Sequence, residues 1–71
     1  MDGRLTWKTS NRTKLHYAWN EEDEEVGYLE YERLGRFMHW VWYQNSMFGM
    51  SAGCLDEVRK KQKELYASKR K

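Results

Sequence analysis

Seventy-one residues make one domain, and at this size folding removes only about 60% of the unfolded chain's surface from water, so the core is thin. A formal net charge of +2 is too small to imply nucleic acid by itself. No apolar run approaches the ~18 residues of a membrane span, and Met1-Asp2-Gly3-Arg4 lacks the apolar core of a signal peptide. One cysteine, Cys54, excludes an internal disulfide, and with only His16 and His39 beside it the zinc set is poor.

A lone unpaired thiol makes a reducing cytoplasm the expected compartment, and no cofactor is expected. Asn11-Arg12-Thr13 matches a glycosylation acceptor, but without secretion it is a chance tripeptide. The compensation for small size is aromatic mass. Four Trp, five Tyr and two Phe carry most of the available apolar area, about 150–250 Å² each when buried.

In chain order, residues 4–9 alternate, with Leu5, Trp7 and Thr9 on one side. Residues 14–19 form a second strand, in which Leu15, Tyr17 and Trp19 alternate with His16 and Ala18. Ser10-Asn11-Arg12-Thr13 between them is turn chemistry. If burial sets the register, Leu5 and Trp7 share a face with Leu15, Tyr17 and Trp19, which requires an odd loop of three or five residues. Asn20 to Glu25 is an acidic, exposed connection. A hard-cation site there lacks both the spacing and the glycine of a calcium loop.

Residues 26–33 and 36–44 are the third and fourth strands, with Leu34-Gly35 as the turn. The run Arg36 to Gln44 is the most apolar of the chain, and its aromatic and β-branched content predicts a central strand. A two- or four-residue loop puts Leu29 and Tyr31 on the face of Met38, Trp40 and Trp42. The other face then carries Tyr28, Glu30 and Glu32 with Phe37, His39 and Val41. In the two-residue register Glu30 opposes His39 and Gly27 opposes Trp42. A three-residue bulged loop is the competitor and swaps the faces; in its favour, a tight turn forces Leu34 to positive φ.

Asn45 to Met50 is a loop whose Phe48 can plug the end of the core. Ser51 is a good N-cap for a helix over residues 52–67. Leu55, Val58, Gln62, Leu65 and Tyr66 form its inner stripe. Asp56 and Glu57 are placed in its first turn, with the cations late, as the helix dipole favours. Residues 68–71 are expected to fray. The sum is an α+β domain, a four-stranded antiparallel meander (β-β-β-β-α) with one C-terminal helix on one face.

That architecture implies a mismatch. Four strands span roughly 15–20 Å and one helix only about 10–12 Å, so a single helix cannot roof both faces. Assigned to the face of Leu29, Tyr31, Met38, Trp40 and Trp42, it leaves Tyr28, Phe37, His39, Val41 and Tyr43 as a candidate partner-binding patch. The plainer alternative is that sheet curvature and loops close over them.

The expected function is therefore non-enzymatic binding of another protein, of inhibitor or adaptor type, or self-association through this face or an edge strand. The runner-up is nucleic-acid binding by Arg59, Lys60, Lys63, Lys69, Arg70 and Lys71, with aromatic stacking on the sheet. The acidic run and Glu30 and Glu32 oppose it. Cys54 near a helix N-terminus is a conceivable nucleophile, but no nucleophile motif surrounds it and a small buried hydrophobe is the plainer reading. A Glu30–His39 acid–base pair lacks any recognisable reaction motif around it.

Overall fold

The computed structural model describes residues 4–69, without the Lys69 side chain. Four strands, β1 (Thr6–Thr9), β2 (His16–Trp19), β3 (Glu25–Leu34) and β4 (Phe37–Gln44), precede one helix, α1 (Ala52–Lys69). The strands form one antiparallel sheet in the order β1-β2-β3-β4. This is the expected α+β meander with its C-terminal helix. The helix runs two residues past the predicted 67, so Ser68 and Lys69 continue it; the rest of the predicted frayed tail, Arg70 and Lys71, lies outside the described residues.

The first hairpin departs from expectation. Trp7 pairs with Ala18 and Thr9 with His16, so Trp7 shares a face with His16 and Ala18, while Tyr17 and Trp19 point to the other side. The loop is even, not odd. Ser10 and Leu15 close it by a 3.1 Å hydrogen bond, and four residues bulge between them. The Ser10 hydroxyl accepts the Arg12 and Thr13 amides, and Lys14 takes a left-handed φ of 65°.

The physical reason for that register is steric. Gly27 lies so close under Trp42 that a Cβ there would meet the indole carbons, and the Tyr43 carbonyl, at 2.5 Å. Ala18 pairs with Gly27 and is fully buried. Two small residues in one row make a floor on which two indoles meet edge to face, Trp7 and Trp42 at 6.1 Å. A second large residue at position 18 would leave no space there.

The second hairpin has the predicted parity but a different turn. Gly35 and Arg36 are its two turn residues, Leu34 pairs with Phe37, and Glu32, not Glu30, opposes His39. Gly27 opposes Gln44. Gly35 supplies the positive φ of 66°, which glycine adopts without a Cβ clash, so Leu34 stays in the strand. The face assignment survives because a shift of two residues preserves alternation.

The predicted central strand is an edge strand. The apolar run of β4 is instead sealed by α1, which reaches its outer edge: the Gln62 side-chain amide donates to the Trp40 carbonyl at 2.8 Å, and the Trp40 amide donates to the Tyr66 hydroxyl at 2.9 Å. The core lies between this half of the sheet and the helix. Leu29, Trp40 and Val58 form its centre, with Leu5, Trp7, Tyr31, Trp42, Met50 and Leu65 packed round them. Met50, rather than the expected Phe48, is the loop residue in this cluster. Met38, expected under the helix, is absent from this cluster and 40% exposed.

The helix is capped as predicted, with the Ser51 hydroxyl accepting the Cys54 amide at 3.2 Å. Asp56 and Glu57, however, fall outside the first turn. They pair along the helix with Arg59 and Lys60, and such exposed pairs contribute well under about 1 kcal/mol.

Two predictions follow from this packing. Gly27→Ala forces Trp42 off its floor, and overpacking of this kind costs about 1–3 kcal/mol; a lowered urea midpoint with unchanged helix content is the expected result. His16 packs edge-on against Trp40 at 5.0 Å and shares a 2.9 Å hydrogen bond with Thr9. Burial first, and the Lys61 charge second, hold its pKa below 6.5. As pH falls through 6.5 the unfolded chain takes up this proton before the folded one, so stability declines until the lower folded pKa is also passed. Replacing His16 with Phe should flatten that part of the pH profile in urea titrations.

Candidate functional site

The helix covers one face of the sheet. Among the described residues, no helix or strand lies over the other. Register decides what that open face presents. One row crosses all four strands, Lys8–Tyr17–Tyr28–Tyr43. Below it lies Trp19. Above it β3 and β4 add Glu30 with Val41, Glu32 with His39, and Leu34 with Phe37.

The tyrosines touch in sequence. Tyr17 and Tyr28 are 5.9 Å apart and tilted; Tyr28 and Tyr43 are stacked at 5.1 Å and 24°. At the β1 end the Lys8 ammonium sits 4.7 Å from the Trp19 ring centre, a cation–π contact. The five predicted patch residues, Tyr28, Phe37, His39, Val41 and Tyr43, therefore share one face. Phe37 is 68% exposed and Tyr43 38% exposed, while Tyr28, His39 and Val41 are half-buried. The sequence reasoning missed Tyr17 and Trp19, because it grouped them with Leu5 and Trp7 on one buried face, whereas the register separates them. The signal that could have found them was the smallness of Ala18 and Gly27, which together leave room for an indole over their face.

Charge is distributed unevenly over the face. Glu25, Glu30 and Glu32 are half-buried on it, against the single lysine Lys8. The Tyr43 hydroxyl donates to the Glu32 carboxylate. That bond, then partial burial, then the charges of Glu32 and Glu30, push the Tyr43 pKa up to about 12. Two shallow clefts share Glu25 in their lining. One, of about 260 Å³, is lined by Lys8, Thr9, Ser10, Tyr17, Trp19 and Glu25. The other, of about 380 Å³, is lined by Glu25, Gly27, Tyr28, Tyr43, Gln44 and Asn45.

The ends of the sheet carry opposite charge. The β2–β3 loop holds Glu21, Glu22, Asp23 and Glu24, organised by Asn20, whose side-chain oxygen accepts the amides of Glu22 and Glu24, each at 2.9 Å. Its side-chain amide donates to the Glu24 carboxylate at 2.7 Å, and Asp23 takes a φ of 64°. The two turns at the opposite end carry Arg12, Lys14 and Arg36. Ten residues of β3 separate the ends, about 30 Å, well beyond the ~8 Å screening length.

The residues of the phosphate-binding alternative are less gathered. Arg59 and Lys60 are engaged with Asp56 and Glu57, and Lys63 is exposed. Lys69 continues the helix, and Arg70 and Lys71 lie outside the described residues. Cys54 is half-buried beside its cap. Among the described residues no helix is long and apolar enough to cross a membrane, and no group of three or more His, Cys, Asp or Glu side chains is placed to hold a metal ion. No known protein family, curated protein or solved structure matches the chain.

The Tyr43–Glu32 bond gives a direct test. In tyrosinate absorbance titrations one of the five tyrosines should ionise near 12 rather than near 10, and Glu32→Gln should bring it down toward its ordinary value. By linkage, the stability from this neutral hydroxyl is complete below pH 10 and is lost as pH rises through 12.

Proposed function

We propose that this chain is a small non-enzymatic binding protein that docks its open aromatic sheet face onto another protein, as an inhibitor or adaptor does. It works in a reducing compartment, the cytoplasm, where the Cys54 thiol stays unpaired. The observation that carries the reading is the unroofed row Tyr17–Tyr28–Tyr43, with Phe37 exposed beyond it. Aromatic side chains bring large contact area with few rotors to freeze, and they dominate interface hot spots. Phe37 and Tyr43 act as the anchors, Tyr28, His39 and Val41 as the surface round them. The carboxylates set orientation rather than bulk affinity.

Nucleic-acid binding has less behind it. The bases would have to stack among Glu25, Glu30 and Glu32, and two of the helix cations already have partners. Self-association through the same face competes with a foreign partner.

Serine at both Phe37 and Tyr43 is the test. Hot-spot aromatics contribute roughly 2 kcal/mol or more each, so a partner retained by the wild-type chain should bind the double variant far more than tenfold more weakly. Both side chains are substantially exposed, so the circular dichroism spectrum should be unchanged. Equal retention by both proteins would remove the reading.

A further inference from the structure

We propose that the occupant of the aromatic face is an arginine-bearing segment of the partner protein, its guanidinium planes stacking on Tyr28 and Tyr43 while Glu25, Glu30 and Glu32 pair with them. The inference rests on the face being a docking surface and names what docks there.

A face built only to bury apolar bulk would carry leucine and isoleucine. This one carries tyrosines with half-buried carboxylates interleaved among them. The stacked pair Tyr28–Tyr43 offers a nearly continuous π surface, and Glu25 lines the cleft of about 380 Å³ beside it. Glu32 already receives the Tyr43 hydroxyl, so a carboxylate with further lone pairs stands at the rim of that ring, and Glu30 follows it along the same face of β3. The chain shows the chemistry on itself: Lys8 lies over Trp19 on this same face.

Charge complementarity selects the occupant. On a molecule of net charge +2, negative charge is concentrated on this face and on the adjoining Glu21–Glu24 loop. A polyphosphate strand would be repelled, and a second copy would bring a second set of the same carboxylates into contact. A basic segment is attracted at every one of these positions. Arginine fits better than lysine, because a planar guanidinium stacks on an aromatic ring while donating to a carboxylate in its own plane.

The test uses three synthetic peptides of one length, arginine-rich, lysine-rich and serine-rich, titrated into the full chain and read by tryptophan fluorescence and amide chemical shifts. The arginine peptide should bind, the lysine peptide more weakly and the serine peptide not at all, with affinity falling as salt rises. Glu30→Gln combined with Glu32→Gln should weaken the arginine peptide by about twofold to tenfold, with the melting temperature little changed.

Equal binding of the serine peptide, or no change on removing both carboxylates, overturns the inference. So does a single-stranded oligonucleotide that shifts the amides of Tyr28 and Tyr43, or sedimentation as a dimer that the peptide does not disturb. If the Phe37 and Tyr43 serine variant loses a partner whose capture survives high salt, while the arginine peptide fails to bind, the docking face stands and this inference alone falls.

Discussion

The contact of the Trp42 indole with the backbone of Gly27 is the constraint from which the rest of the arrangement follows. An indole can lie flat on a strand only where that strand has no side chain, and a Cβ at position 27 would sit 2.5 Å from it. The neighbouring strand continues the depression with Ala18, and Trp7 completes the pair from β1. With the indoles occupying this floor, the helix meets the sheet mainly at Leu29 and Trp40 through Val58. Tyr17, Tyr28 and Tyr43 are sent to the opposite side by simple alternation.

The two edges of the sheet are managed differently. β4 carries the most apolar sequence and would be an aggregation hazard as a bare edge. Gln62 and Tyr66 reduce the hazard by taking the carbonyl and amide of Trp40 in the middle of the strand, so two polar residues of the helix's inner stripe act on the sheet backbone and not on its face. Among the described residues no such hydrogen bonds cover the β1 edge, but it is only four residues long and carries Lys8, both ordinary devices against strand addition. Stability remains thin in one respect. The indole N–H groups of Trp19, Trp40 and Trp42 are buried with no protein acceptor among the described residues.

Function on this scaffold is a matter of what one face is left to do. The meander sorts charge as a by-product of its topology, because alternate turns fall at opposite ends. One end becomes basic through Arg12, Lys14 and Arg36, the other acidic through Glu21 to Glu24. The aromatic row lies between them with carboxylates set into it. Such a surface can orient an approaching partner before close contact, since exposed charges act over about a Debye length, and then hold it by aromatic contact.

The sequence by itself determined the element order, the meander, the Ser51 cap and the inner stripe of Val58, Gln62 and Leu65, because each is set by local periodicity or by one residue's own chemistry. The shared face of Phe37, His39, Val41 and Tyr43 was legible from alternation along one strand, and Tyr28 joined it only if the β3–β4 loop was even. The tertiary structure alone decided that Tyr17 and Trp19 join that face, that the β3–β4 loop is even with Gly35-Arg36 as its turn, and that Gln62 and Tyr66 reach the β4 edge. Those outcomes depend on what fits beneath Trp42, which is a contact between residues fifteen positions apart along the chain. Alternation along one strand records which side chains go together, but steric fit between strands chooses the side.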